Sequence, residues 1–151
     1  GGRYIVCEQV QDPANTGAVI RSAAAFRMDG VVLCGGCDPF SPKVLRGSMG
    51  AVFKVPLHRF DSFEQAALAL HERGLALYAA MLDRDAARID DVRFEGGGAV
   101  VVGNEGAGLS ARAAALCDGR VYIPIAPQVE SLNAAVAASI FMWKMSGRDR
   151  G

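Results

Sequence analysis

The sequence lacks the features of several protein classes. No apolar run among its 151 residues approaches the roughly 18 residues that a membrane-spanning helix requires. The N-terminus has no charged segment followed by an apolar one, as a secretory signal peptide would. Lys and Arg together number 16, and so do Asp and Glu, so the net charge is zero. We therefore expect a cytoplasmic or organelle-matrix protein without a membrane partner, and net charge alone does not indicate a nucleic-acid partner.

Cysteine and histidine are too sparse for a disulfide framework or a zinc site. Four cysteines in a chain of this size do not resemble a secreted disulfide scaffold, and only Cys34 and Cys37 lie close together. A zinc site would need two more ligands, whereas His58 and His71 stand alone. A thioredoxin-like pair would open a helix, but a proline-containing loop over 38–42 follows here. We predict reduced loop cysteines and no metal.

Short, uniformly apolar strands alternate with helices, which predicts an α/β fold whose parallel sheet is covered by helices on both faces. The sequence shows no linker, so we expect one domain over 1–151. Asn15 and Ser131 are predicted helix N-caps, and 83–98 is predicted to be a loop with at most one helical turn. The predicted strands are 4–10, 31–33, 51–55, 75–81, 99–102 and 120–123. The predicted helices are 15–26, 42–46, 62–73, 110–117 and 132–145.

Three segments, the first two of which contain glycine, follow predicted strands, where α/β proteins build their binding sites. The first, 15–21, reads Asn-Thr-Gly-Ala-Val-Ile-Arg, and its spacing alone favours a helix cap followed by a surface arginine. The second, 103–108, reads Gly-Asn-Glu-Gly-Ala-Gly. It lacks the Gly-Lys-Ser/Thr of a phosphate loop, and Glu105 would repel a pyrophosphate. The third, 123–133, runs from Ile-Pro-Ile to Ser-Leu-Asn.

In order and over nearly the whole chain, these segments resemble the three motifs of the SpoU (TrmH-like) family of RNA 2′-O-ribose methyltransferases, in the SPOUT class. The resemblance implies an S-adenosyl-L-methionine-dependent enzyme in which Arg21 acts on the ribose 2′-hydroxyl and Asn15 orients Arg21. It implies three further residues at the reaction centre, namely Glu105, Ser131 and Asn133. It implies that the cofactor is bound near Gly103, Gly108, Ile123, Ile125 and Leu132.

The resemblance has further implications for architecture and partners. Lys43 and Arg46 become candidate contacts to RNA phosphates, although a solvated surface role fits them as well. The C-terminal segment is expected to form a deep trefoil knot, which no periodicity in the sequence indicates, and its apolar helix to form a homodimer interface. Family members usually carry an N-terminal RNA-binding extension; because this sequence begins almost at the first motif, we expect either an excised catalytic domain or a minimal member whose dimer partner helps to bind the RNA. Ala126-Pro127 replaces a loop in which such enzymes commonly have glycine.

We therefore expect methylation of a ribose in ribosomal or transfer RNA. One alternative is a catalytically silent RNA-binding or assembly protein that keeps the fold, although such a module has no need of all five reaction-centre residues. A second is an α/β enzyme with a nucleotide or nicotinamide cofactor, whose phosphate-binding motifs are missing. Methylation of a base rather than a ribose is a narrower alternative.

Overall fold

The computed structural model describes residues 1–147, which are built on a seven-stranded parallel sheet. Across the sheet the strand order is β3-β2-β1-β6-β4-β7-β5, and every pairing is parallel. The predicted parallel sheet is thus confirmed. In chain order the strands are β1 (Arg3–Glu8), β2 (Gly30–Cys34), β3 (Leu57–Phe60), β4 (Leu77–Ala80), β5 (Ala87–Arg88), β6 (Gly98–Val102) and β7 (Gly119–Tyr122).

Helices cover both faces of the sheet, as predicted. One face packs against α1, α2 and α5, and the other against α3 and α4. The central strands are buried from both sides, which explains why they are apolar throughout instead of alternating with polar residues. The helices are α1 (Pro13–Ala25), α2 (Pro42–Ser48), α3 (Phe63–Glu72), α4 (Ala111–Leu116) and α5 (Ala134–Met145).

The prediction of a strand over 51–55 is wrong. Ala51–Phe53 forms a 3-10 turn, and the third strand begins at Leu57, after Pro56. A short apolar run suits a buried turn as well as a strand, because periodicity cannot distinguish them over five residues. Within the predicted loop 83–98, the structure has a 3-10 turn at Ile89–Asp91, which agrees with the prediction of at most one helical turn. It also has the two-residue strand β5, which the sequence did not indicate.

Two helix N-termini also differ from the prediction. The cap of α1 is Asp12, followed by Pro13 at the first helical position, so Asn15 lies inside the first turn. Asp is a preferred N-cap residue and Pro is preferred at the first helical position, which explains why α1 begins before Asn15. The cap of α5 is Asn133 instead of Ser131. None of the helices within residues 1–147 combines the length and apolarity that crossing a membrane demands.

The order of the strands determines where loops can meet. From β1 the chain crosses to β2 on one side, whereas β6 lies on the other side of β1. The carboxyl ends of β1 and β6 therefore flank a crevice at the point where the strand order changes direction, the usual ligand site of open parallel sheets. The first two motifs follow these two strands, and the third follows β7 on the same edge.

Candidate functional site

The loop after β6 is shaped by Asn104 and Gly103. The Asn104 side-chain oxygen accepts hydrogen bonds from the backbone N–H groups of Gly106 and Ala107, each at 2.9 Å. Its amide donates to the carbonyl of Gln9 at 2.9 Å, which ties this loop to the end of β1. A Cβ at Gly103 would overlap the backbone of Gly108, so only glycine allows the loop to fold back on its own strand.

Glu105 joins this loop to the first motif. One carboxylate oxygen accepts from the backbone N–H of Gln11 at 3.1 Å. The other accepts from the backbone N–H of Asp12 at 2.8 Å and from the Asn15 amide at 3.2 Å. The carboxylate thus spans two orphan donors before α1 and a side chain within its first turn.

These hydrogen bonds change the acidity of Glu105. Partial removal of its carboxylate from water opposes ionisation. The backbone hydrogen bonds, from Asp12 first, and the Asn15 side chain outweigh that effect and lower the pKa of Glu105 below its ordinary value. Glu105 is therefore an ionised acceptor near neutral pH and unsuited to act there as a general acid.

The network continues from Asn15 to the third motif. The Asn133 amide donates to the Asn15 side-chain oxygen at 3.1 Å. The Asn133 side-chain oxygen accepts from the backbone N–H groups of Ala135 and Val136 at 2.8 and 3.1 Å, which caps α5. The chain Glu105–Asn15–Asn133, hereafter the Glu105 network, therefore links all three motifs by side-chain contacts. Each of the two asparagine side chains therefore has fixed hydrogen-bond partners within the protein.

A cavity of about 650 Å³ opens at the carboxyl ends of β4, β6 and β7. This volume lies in the range of small-molecule sites. All five predicted cofactor-binding residues line it, as do Glu105 and Ser131. Leu82 and Phe141 add apolar walls that the motif analysis did not include. The predicted cofactor residues are Gly103, Gly108, Ile123, Ile125 and Leu132.

The charge of the cavity has one sign. Glu105 and Glu130 line it, and the described lining includes no Lys, Arg or His. The wall also contains Ala126 and Pro127, where the backbone turns and the Val129 N–H donates to the Ala126 carbonyl at 3.0 Å. Proline suits the second position of such a turn, so the replacement of glycine here still allows a closed loop.

Arg21 does not line this cavity. Its side chain is exposed on the outward face of α1. The expected contact with Asn15 is absent, because the Asn15 amide is engaged by Glu105 and Asn133. Six residues along a helix rotate the side chain by about 240° and advance it by about 9 Å, so Asn15 and Arg21 cannot lie side by side. Lys43 is likewise exposed, on the neighbouring α2.

A second, shallower groove of about 490 Å³ lies between α1 and α5. Asn15 and Asn133 line this groove instead of the cavity, so the Glu105 network forms the boundary between the two. Its other walls are mostly apolar and include Val136 and Trp143, which are 49% and 51% exposed.

Motif analysis missed the contribution of Glu8, the last residue of β1. Its two carboxylate oxygens accept from the backbone N–H and the hydroxyl of Ser110 at 2.9 and 2.7 Å. Ser110 is also the N-cap of α4, as predicted, and follows directly after the cavity loop. Glu8 therefore fixes the far end of that loop. The sequence signal for this role was a carboxylate at the end of a mostly apolar strand.

The cysteines are free thiols and do not cluster at the site. Cys34 is the last residue of β2 and not a loop residue, and it packs on the face covered by α3. Cys37 packs on the opposite face and donates to the Thr16 hydroxyl at 3.1 Å. Burial, with the charges of Glu8 and Glu64, raises the pKa of Cys34 to about 12, which makes it a poor nucleophile.

A parallel sheet covered on both faces, with a cavity at the carboxyl ends of its strands, is the architecture of a ligand-binding α/β domain. The sequence profile of the SpoU rRNA Methylase family matches residues 2–143, and the chain belongs to this family. The resemblance inferred from the three motifs is thus confirmed.

Individual relatives are similar over most of this chain. An uncharacterised tRNA/rRNA methyltransferase of Synechocystis is 38% identical over 141 residues, which are 93% of this chain and 51% of that protein. The 23S rRNA (guanosine(2553)-2′-O)-methyltransferase RlmP of Bacillus subtilis is 36% identical over 146 residues, 96% of this chain and 58% of RlmP. The chain thus spans little more than half the length of these relatives.

The fold matches solved structures at comparable identity. The SpoU methyltransferase AviRb of Streptomyces viridochromogenes, in complex with the cofactor AdoMet, superimposes with a TM-score of 0.90 at 31% identity. The match covers 97% of this chain and 57% of AviRb.

Proposed function

We propose that this chain binds S-adenosylmethionine in the cavity and is the catalytic part of an enzyme that methylates a ribose 2′-hydroxyl of RNA. The observation that carries the cofactor assignment is the charge of the cavity. Two carboxylates and no cation among its described lining residues suit a ligand with a sulfonium and an ammonium group. A pyrophosphate-containing nucleotide such as NAD or ATP would meet repulsion without compensation.

The family relatives support this proposal. RlmP is named a ribosomal RNA 2′-O-methyltransferase, and the AviRb structure contains AdoMet. Backbone groups of Gly103, Gly108, Ile123 and Leu132 would hold the cofactor here, and apolar walls such as Ile125 would cover its adenosine. When bound, S-adenosylmethionine supplies an electrophilic methyl group.

The reactive oxygen must lose a proton, and Arg21 is our candidate for stabilising it. A guanidinium is always protonated and cannot serve as the base. It can hold the 2′-hydroxyl and a neighbouring phosphate together and stabilise the oxygen as its proton leaves. Its exposed position on α1 is accessible to RNA from outside the cavity. Glu105 and Asn133, through Asn15, would keep α1 in place beside the cofactor, and Ser131 would face the same centre.

We further propose that two copies associate through α5 and the groove beside α1. Trp143 and Val136 are about half exposed on a helix that is otherwise apolar, and monomeric proteins seldom leave such a face uncovered. Sedimentation of Trp143→Glu should give a monomer where the parent chain gives a dimer. Leu68→Glu, at an exposed position on α3, is the matched control and should remain dimeric. A parent chain that sediments as a monomer would contradict this interface.

We also propose the trefoil knot. After β7, which lies between β4 and β5, the chain returns across the sheet so that α5 packs on α1 and β1. In mechanical unfolding from the two termini, a knotted chain should extend less than its contour length of about 3.3–3.6 Å per residue. Extension to the full contour length would refute the knot.

Two measurements test the function. The first is calorimetric titration of the folded chain with S-adenosylmethionine, with NAD and ATP as controls; we expect saturable binding of the first alone. The second is transfer of a labelled methyl group to in vitro transcribed ribosomal and transfer RNA, followed by nuclease digestion to identify a 2′-O-methyl nucleoside. Arg21→Ala should lower turnover by about 100-fold or more while S-adenosylmethionine affinity stays nearly unchanged. Arg112→Ala, on the opposite face of the sheet, is the matched control.

The outcomes separate the candidate functions. Cofactor binding without transfer to any RNA would favour a protein that requires segments outside this chain. RNA binding without cofactor binding would favour a catalytically silent RNA-binding protein. A methylated base would contradict the ribose assignment, and full activity of Arg21→Ala would contradict the role of Arg21.

A further inference from the structure

Two large apolar side chains project from the segment that follows α2. Phe53 is 79% exposed and Met49 is 69% exposed. Scattered apolar residues on a surface need no explanation, but these two lie four positions apart in one exposed segment.

The exposure of these side chains is imposed by a well-anchored backbone. Ala51, Val52 and Val55 of the same segment are buried in the core beneath α1, so the turn is held on both sides of Phe53. Met49 has a left-handed backbone with φ of 55°, which non-glycine residues seldom adopt and which costs about 1 kcal/mol or more. The fold thus accepts local strain in a turn that presents Met49 and Phe53 outward.

The segments around these side chains carry several cations and no carboxylate of their own. Residues 39–60 contain no Asp or Glu, and residues 13–28 on the adjoining α1 contain none either. Lys43, Arg46 and Lys54 are exposed, and none of the three forms an ion pair within the part of the chain that the structure describes. Unpaired cations beside an exposed aromatic ring are the combination that single-stranded nucleic acids recognise.

We propose that Lys43, Arg46, Met49, Phe53 and Lys54, hereafter the α2 platform, bind the single-stranded RNA that flanks the methylated nucleotide. An unstacked base lies on the Phe53 ring beside Met49, while the three cations contact phosphates. This inference rests on the proposed function, and it specifies the form of RNA that the enzyme accepts. A duplex keeps its bases stacked and offers none to Phe53, so the target ribose belongs to a loop, bulge or end.

The charge of the platform favours RNA over a second copy of the chain. If the platform lay on the two-fold axis of a dimer, the cations of one copy would face those of the other. Like charges at such a contact are unfavourable. A polyanion meets no such obstacle and gains affinity by releasing counterions.

The position of the platform relative to Arg21 is fixed by a close helix crossing. A Cβ at Gly17 of α1 would lie 2.9 Å from the Gly47 carbonyl carbon of α2, so the two backbones are in contact there. This contact holds α2 rigidly against the helix that carries Arg21. RNA bound to the platform would therefore lie against the pair of packed helices to which Arg21 belongs.

Fluorescence and binding measurements on the whole chain test the platform. The probe is a short fluorescein-labelled RNA of mixed sequence, used single-stranded and as a blunt duplex, at low salt. Phe53→Ala should weaken binding of the single strand between about fivefold and about 150-fold, the range for loss of one stacked base. Duplex binding should change little. Leu68→Ala, an exposed apolar residue on α3, is the matched control and should change neither.

A second variant detects the stacking itself. Phe53→Trp places an indole on the platform, and its emission should be quenched by the single strand but not by the duplex. The same substitution at Leu68 should show no quenching. Circular dichroism melting and sedimentation of each variant establish that it is folded and unchanged in mass.

Each outcome bears on the proposal. Equal affinity of Phe53→Ala and parent chain, equal effects on single strand and duplex, or no RNA binding by the parent chain would each overturn it. So would an altered mass of Phe53→Ala, since the platform would then be a protein–protein contact. If all these variants bind S-adenosylmethionine, the cofactor assignment is supported even where the platform proposal fails.

Discussion

Replacing Glu105 by glutamine tests whether the network that joins the three motifs depends on a carboxylate. Glutamine has nearly the same shape but one acceptor oxygen instead of two. Glu105 accepts three hydrogen bonds, from the backbone N–H groups of Gln11 and Asp12 and from the Asn15 amide. In the variant one oxygen can retain the bonds from Asp12 and Asn15, but the new amide then faces the Gln11 N–H, donor against donor.

The expected loss of stability follows from counting these hydrogen bonds. One hydrogen bond disappears and the two that remain change from charge-assisted to neutral. The site is exposed, so water replaces part of what is lost, and each bond contributes only about 0.5–1.5 kcal/mol net. We therefore expect Glu105→Gln to lower the free energy of unfolding by about 1–2 kcal/mol.

Urea denaturation followed by circular dichroism measures this change. Glu130→Gln is the matched control, because Glu130 lines the same cavity and has no hydrogen-bond partner among the described residues. It removes an equal charge and should change the unfolding free energy by less than about 0.5 kcal/mol. If the two variants lose the same stability, the effect arises from cavity charge and the network is not its cause.

The pH dependence of the stability provides an independent check on the direction of the Glu105 pKa shift. The pKa of Glu105 is lower in the folded chain than in the unfolded chain, so its contribution to stability is fully present above the unfolded pKa. The contribution disappears as the pH falls through the folded pKa. The stability difference between the parent chain and Glu105→Gln should therefore be constant around neutral pH and shrink in acid. A difference that grew in acid would contradict the assigned direction.

Two predictions concern glycines of the motifs. Gly103→Ala should abolish S-adenosylmethionine binding in calorimetry, because the added Cβ would overlap the backbone of Gly108; retained affinity would show that the loop adapts. Gly17→Ala should lower the unfolding free energy by about 1 kcal/mol or more, since overpacking against α2 exceeds the gain in helix propensity. Gly47→Ala, whose Cβ would meet Gly17 at an ordinary 3.6 Å, should be neutral or stabilising by about 0.5–1 kcal/mol, and equal denaturation midpoints for the two variants would refute the crossing argument.

The elements predicted from the sequence were those with strong local signals. The apolar composition of Gly98–Val102 predicted a buried strand, and the N-cap Ser62 predicted the start of a helix; the structure has both. The 3-10 turn at Ala51–Phe53 was taken for a strand, because tertiary packing and not periodicity decides how five apolar residues are buried. The residues that the motifs assigned to cofactor binding line one cavity, because their strands end on the same edge of the sheet.

Contacts between distant segments were beyond local reasoning. The hydrogen bond of Glu105 to Asn15 joins residues 90 positions apart, and that of Asn133 to Asn15 joins residues 118 apart. Each amide in a loop has many partners within reach, and the strand order alone decides which it meets. Asn15 and Arg21 share no hydrogen bond for a simpler reason, since the helix rotates between them, and the role of Asn15 in orienting Arg21 stays a prediction.

The zero net charge illustrates why the sum over a chain is a poor guide to its partners. The described lining of the cavity has carboxylates and no cation, whereas α1, α2 and the turn after it have cations and no carboxylate. The Glu105 network lies between the cavity, which Glu105 lines, and the groove between α1 and α5, which Asn15 lines. The cationic cofactor and the anionic RNA that we propose would each find a surface of opposite charge. Because the Debye length is about 8–10 Å at physiological salt, charges on the two surfaces act locally, and a neutral chain can attract both ligands.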